Sequence, residues 1–234
     1  MQRYFVTGTD TDAGKTLASA ALLARARRLG LSTLGLKPVA AGCEREDGEL
    51  SNADARLLGA LTVPPLPYAM INPFALEPPI APHLAIRQAG LALDLDVLES
   101  VVHATLDETS REVAVVEGAG GWRVPLNERE DLSGLAVRLR LPVILVVGLR
   151  LGCINHARLT LDAIRADGLH VAGWIGSRVE PTMREYHANL ATLRQCLDAP
   201  CLGIVPWLGD AEDTGLTARA EAAAGYLRLP GERD

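Results

Sequence analysis

The chain has 234 residues, 48% of them apolar, and a formal net charge of −6, which suits one large α/β domain or two small ones with a substantial core. The acidic balance argues against nucleic acid or a membrane surface as a partner. No apolar run reaches the roughly 18 residues of a membrane span, and the start of the sequence reads almost directly into a strand rather than a targeting segment, so a cytoplasmic protein is expected.

Tyr4–Val6 is the first expected strand. The segment Gly8-Thr-Asp-Thr-Asp-Ala-Gly14-Lys15-Thr16 follows and runs into an Ala/Leu/Arg-rich helix, Lys15–Leu29, that stops at Gly30. Thr33–Leu36 is the second strand, closed by Lys37-Pro38. Thr62–Pro82 holds seven of the 14 prolines and too little periodicity for a regular element. A loop of that length in a compact domain is expected to be functional. Asp94–Glu108 reads as a helix and Val113–Glu117 as a strand ending in an acid. Strand Pro142–Gly148, helix Ile154–Ala166, strand Val171–Ile175, helix Arg184–Leu197 and strand Leu202–Val205 complete the alternation. From about Gly209 the sequence is polar and Ala-rich, and a loose tail is expected there. Val143-Ile-Leu-Val-Val147 is apolar at every position, as in a parallel strand covered on both faces. The alternation therefore predicts right-handed crossovers and a doubly wound, mostly parallel sheet with helices on both faces. No domain boundary is visible, so residues 1–234 are read as a single domain.

Arginine has taken all but two of the 23 basic positions; the two lysines are Lys15 and Lys37. A lysine that survives such a bias is expected where a compact ammonium fits and a planar fork does not. Lys15 lies in strand–Gly-rich turn–helix context, which makes Gly8–Thr16 a phosphate loop and the fold P-loop NTPase-like. Turn and helix N–H groups there converge on phosphate oxygens, Lys15 reaches the β/γ-phosphates and the Thr16 hydroxyl binds Mg²⁺. Five residues, not the commoner four, separate Gly8 from Gly14. Two of them, Asp10 and Asp12, are acids beside a polyanion site, which makes sense if one faces an amine-bearing second substrate.

Glu117, at the carboxyl end of a buried strand, stands where an Mg²⁺ ligand belongs, and Gly118, Gly120 and Gly121 let the backbone pass close to phosphates. Asp54 is a candidate third ligand or a solvated helix acid. Lys37 would stabilise a transferring phosphoryl group or hold a substrate anion. Leu151-Gly152-Cys153-Ile154-Asn155-His156 is a helix start that would also suit a carboxylate. The four cysteines, Cys43, Cys153, Cys196 and Cys201, have no paired spacing and are read as reduced thiols.

Taken together, Tyr4–Thr16, Lys37-Pro-Val-Ala40, Glu117-Gly-Ala-Gly-Gly-Trp122, Leu141–Gly148, Leu151–His156, Ala172-Gly-Trp174 and Leu202-Gly-Ile-Val-Pro206 resemble the dethiobiotin synthetases, from Arg3 to about Leu208. The resemblance implies an ATP-dependent cyclo-ligase of biotin biosynthesis that carboxylates 7,8-diaminopelargonic acid with CO₂ and closes the ureido ring. It implies nucleotide contacts at Asp12, Ala13, Gly14, Lys15, Thr16, Leu17, Glu117, Gly118, Gly120, Ser177, Pro206, Trp207 and Leu208. It implies Mg²⁺ on Thr16, Asp54 and Glu117, and catalytic charge from Lys15 and Lys37. Thr11, Asp12, Lys37, Ala41, Pro79 and Ala81 would meet the diamine. Leu151, Gly152, Cys153 and Asn155 would hold its carboxylate across a homodimer interface.

Two positions depart from the family pattern. Ala41 replaces a serine, and Ser177 replaces an asparagine that suits the edge of adenine, so nucleoside triphosphates other than ATP are expected to be accepted. The runner-up reading is a nucleotide-switch ATPase of the partitioning or septum-site type. Those resemble a loop with a second, early lysine, whereas here Val6 stands two residues before Gly8 and no lysine precedes Lys15.

Overall fold

The computed structural model describes residues 1–46, 48–209 and 215–232. In chain order, β1 (Gln2–Gly8) leads into α1 (Lys15–Arg28), β2 (Thr33–Leu36), β3 (Val39–Ala41), β4 (Glu44–Glu46) and β5 (Glu49–Ser51). Four helices and two strands follow: α2 (Ala53–Ala60), α3 (Tyr68–Ile71), β6 (Phe74–Leu76), α4 (Pro82–Gln88), α5 (Leu95–Thr109) and β7 (Val113–Glu117). The remainder is α6 (Ser133–Arg138), β8 (Val143–Leu149), α7 (Cys153–Ala166), β9 (Val171–Arg178), α8 (Tyr186–Cys196), β10 (Cys201–Val205) and α9 (Leu216–Ala224).

Six strands form one sheet in the order β10-β9-β8-β1-β7-β2, every neighbouring pair parallel. All of β7 and β8 is buried, as their apolar sequences require of strands covered on both faces. In a parallel sheet every strand ends at the same edge, so β1, β2, β7, β8 and β9 deliver Gly8, Lys37, Glu117, Leu149 and Ser177 to one rim. Ligands of open α/β sheets bind at that rim, where the strand order reverses. Among the described residues no helix is long and apolar enough to cross a membrane.

Two expectations are corrected. Thr62–Pro82 is not without regular structure: α3 and β6 lie inside it and α4 starts at its end. β6 pairs with β3, Val39 opposite Phe74, in a two-stranded parallel sheet. Elements of three or four residues are too short to show a period. The stretch after Gly209 is not a loose tail over its described part. α9 packs on α1 through Ala220, Ala223 and Ala224, all fully buried, and Leu227 and Leu229 are buried beyond it. The alanines that made the segment look featureless allow the two helices to close together. Arg28 pairs with Glu221, and Arg25 with Glu232. Residues 210–214 and 233–234 of the expected tail lie outside the described residues.

Candidate functional site

The turn after β1 is held open by its backbone. Asp12 (φ 57°) and Gly14 (φ 85°) take left-handed conformations, and Gly14 opens α1 with no side-chain cap. The first N–H groups of α1 are thus left to an external acceptor, at the positive end of the helix dipole. A Cβ on Gly14 would collide with the Ser177 side chain, so glycine is required twice over at this point. Lys15 is only 7% exposed, and its Nζ donates to Asp10 O at 2.8 Å. Burial, reinforced by the charge of Lys37, pushes its pKa down to about 8.

A second cluster sits on the β7–β2 side. Lys37, 5% exposed, donates from Nζ to Glu117 Oε1 at 2.6 Å and to Gly118 O at 3.1 Å, with Asp54 Oδ2 at 3.5 Å. The Thr16 hydroxyl donates to the same Glu117 Oε1 at 2.9 Å. Burial works to lower the Lys37 pKa, but Glu117 and Asp54 outweigh it and the net shift is upward. Glu117 Oε2 is left buried and without a hydrogen-bond partner. Among the described residues no group of three or more His, Cys, Asp or Glu side chains forms a metal cluster. The donors gathered here are two carboxylates and one hydroxyl, an all-oxygen set of the kind Mg²⁺ takes with water and phosphate completing its shell.

These two clusters face one cleft of about 1170 Å³. Thr11, Asp12, Gly14, Lys15, Thr16, Leu17, Lys37, Ala41, Asp54, Pro79, Ala81, Gly120, Ser177 and Trp207 all line it. Glu117 lies beneath Lys37 and Thr16 rather than in the wall. Ala13 is buried under the turn, facing Gly148. Gly118 backs against the Phe5 ring, and Pro206 and Leu208 flank Trp207 as partly buried residues. Leu151, Gly152 and Asn155 do not reach the cleft of their own chain. With Arg158 and Asn189 they line an adjoining depression of about 520 Å³, which shares Leu159 with the cleft, and Leu151 is 92% exposed.

Cys153 departs from the expected substrate contact. Its thiol is buried, with its pKa raised by burial, and its N–H is bonded to Arg150 O at 3.0 Å. Of the two acids in the turn, Asp10 is paired with Arg150 at 2.6 Å, which leaves Asp12 as the exposed one.

Sequence reasoning missed a chain of hydrogen bonds behind Lys37. Asn52 N–H donates to Tyr68 Oη at 2.8 Å, and Tyr68 O–H to Asn72 Oδ1 at 3.0 Å. Asn72 Nδ2 then donates to Lys37 O at 2.6 Å. Asn52 also caps α2, accepting from Asp54 N and Ala55 N, a role that Ser-Asn-Ala-Asp before a helix signals. Missed too was Asp167, which accepts from Trp122 Nε1 and from Arg123, each at 2.8 Å, and so fixes the end of the glycine loop.

Residues 2–214 match the family model described as an AAA domain. The chain is 59% identical to the ATP-dependent dethiobiotin synthetase BioD of Chromohalobacter salexigens over 99% of this chain and 100% of that protein. It is 52% identical to the protein of that name from Cellvibrio japonicus, over 97% and 95%. Among solved structures it resembles a ParA family ATPase from Chlorobium tepidum, with a TM-score of 0.56, 12% identity and coverage of 94% and 91%. The MinC:MinD cell division complex of Aquifex aeolicus gives a TM-score of 0.55 at 14% identity, covering 100% and 99%. Identities that low reach the P-loop fold and no further.

Proposed function

Because the chain belongs to the ATP-dependent dethiobiotin synthetase family, we propose that its cleft holds a nucleoside triphosphate and 7,8-diaminopelargonic acid together and closes the diamine into a cyclic urea with CO₂. The observation that carries this reading is the joint contact of Lys37 and Thr16 on buried Glu117, beside the uncapped start of α1. One amine adds to CO₂, giving a carbamate and a proton. A carbamate oxygen attacks the γ-phosphorus and the nucleoside diphosphate leaves. The second amine attacks the carbamoyl carbon, phosphate leaves, and the ring nitrogen gives its proton to solvent.

No bond to the protein forms, so the chain contributes position and charge. The N–H groups at the start of α1 and Lys15 hold the phosphates, and Lys37 brings a point charge to the transferring phosphoryl group. Asp12 and Thr11 face the amines opposite Ala41, Pro79 and Ala81. Ser177 and Pro206–Leu208 flank the nucleoside. Where the family has a serine hydroxyl, Ala41 offers none, so that contact is either missing or made by water. Leu151, Gly152 and Asn155 serve the site of a second subunit in a two-fold homodimer, which agrees with their absence from the lining of their own cleft.

Thr16, Asp54 and Glu117 would hold Mg²⁺, and the unpartnered Glu117 Oε2 fits a cation. When bound, Mg²⁺ neutralises charge on the phosphate oxygens. The compartment is the cytoplasm. The test is phosphate release: it requires diamine, bicarbonate, Mg²⁺ and nucleotide together. Rapid hydrolysis unaffected by the diamine would overturn the proposal in favour of a nucleotide switch.

A further inference from the structure

The cleft has a second end, on the β9–β10 side of β1, away from Lys37. Ser177, Arg178 and Val179 at the end of β9, Trp207 after β10 and Arg219 on α9 form its wall. No carboxylate from this side enters the wall among the described residues.

Arg219 is unfavourably placed in two independent ways. It lies in the first turn of α9, where the helix dipole opposes a cation. Its Nε is buried without a hydrogen-bond partner, and its side chain makes no ion pair among the described residues. Arg150 pairs with Asp10 and Arg28 with Glu221. Arg178, whose Nε is likewise unpartnered, has its guanidinium engaged 5.0 Å over the Tyr186 ring and in a bond to Pro181 O, which Arg219 lacks among the described residues. A buried donor left unmade is costly, so a ligand that brings acceptors is the natural complement of Arg219. The triphosphate is directed to Gly14–Thr16 and toward Glu117. The end lined by Trp207, Ser177 and Arg219 is then left for the base.

We propose that Arg219 reads the nucleobase, donating its planar fork to two adjacent acceptor atoms. This rests on the cleft being the nucleoside triphosphate site. Guanidinium and indole N–H groups donate and cannot accept; of the side chains named in this wall, Ser177 alone can do both. Guanine sets O6 beside N7, and cytosine sets O2 beside N3. Adenine sets its N6 amino donor beside N1 and N7, so the fork meets one acceptor and one competing donor. Arg219 therefore supports guanine and cytosine nucleotides alongside ATP.

The experiment measures kcat/KM for ATP, GTP, CTP and UTP with saturating diamine and bicarbonate, in wild type, Arg219→Ala and Arg219→Lys. Arg219→Ala is expected to lower the GTP and CTP values about tenfold more than the ATP value, mainly through KM. Arg219→Lys keeps the charge without the fork and should follow alanine in these ratios. Equal losses with all four nucleotides would assign Arg219 to the sugar, the phosphates or the packing of α9, and would overturn base reading. So would unchanged values, or a wild type that accepts ATP alone. A wild type that turns over no nucleotide with the diamine would instead sink the reading of the cleft itself.

Discussion

Replacing Lys37 separates folding from catalysis. Its Nζ is the cationic partner of a carboxylate whose side chain is fully buried, at 2.6 Å. Removing it as Lys37→Met leaves Glu117 with the Thr16 hydroxyl as its hydrogen-bond donor and with Asp54 nearby, and breaking a buried pair in this way costs about 3–5 kcal/mol. Neutralising both partners, as Lys37→Met with Glu117→Gln, should recover most of that loss. Neither variant can stabilise the transferring phosphoryl group, so kcat falls on the order of 100-fold or more in both. Lys37→Arg should be nearly as slow as Lys37→Met. Three oxygens already crowd Nζ within 3.5 Å, and a broad fork cannot enter where a point charge fits. Urea unfolding gives the stabilities, and dethiobiotin formation at saturating nucleotide gives kcat. A Lys37→Arg enzyme with near-normal kcat would refute the placement of Lys37 at the reacting group.

Lys15 titrates near pH 8 before nucleotide binds. Nucleotide Kd should rise about tenfold per pH unit above that point, because the neutral amine cannot hold phosphate; a flat Kd from pH 7 to 9.5 would exclude it from the grip. The same shift works in the opposite sense on folding. The unfolded chain binds more protons between about pH 8 and the ordinary lysine value of 10.5, so the Lys15 contribution to stability grows as pH rises through that window. Mixing Asn155→Ala with Lys15→Ala protein should restore part of the activity, since a hybrid dimer holds one intact site; demonstrated subunit exchange without recovery would contradict a shared site. Tyr68→Phe leaves Asn52 N–H and Asn72 Oδ1 without their partner, costing about 1–3 kcal/mol, and should lower kcat more than it raises nucleotide KM. Equal effects on both would point to loss of fold alone.

The central sheet was legible because each of its strands carries a physical signature. Val143–Val147 is too apolar to face water on either side, and Glu117 and Lys37 stand out as charges ending such runs. The phosphate loop was legible because its glycines and Lys15 answer one need in one short segment. Long-range partners were not. Nothing local links Tyr68 to Asn52, Arg150 to Asp10 or Asp167 to Trp122, because these bonds depend on how remote segments meet. Cys153 was expected to help hold the substrate carboxylate beside Gly152, but the side chain of the first residue of α7 turns inward. α9 was hidden because alanine is read as plain filler until a second helix is there to receive it.

The clasp of the carboxyl-terminal segment on α1 bears on how the protein can be handled. Leu229 is buried, Glu232 accepts from Leu229 N at 2.8 Å and pairs with Arg25, and Arg28 pairs with Glu221. The far end of that same helix is the seat for phosphate. An affinity tag or a truncation placed at the carboxyl end therefore pulls on the phosphate seat through a single rigid rod of 14 residues. Met1, 61% exposed, is the position where a fusion partner leaves the rod undisturbed.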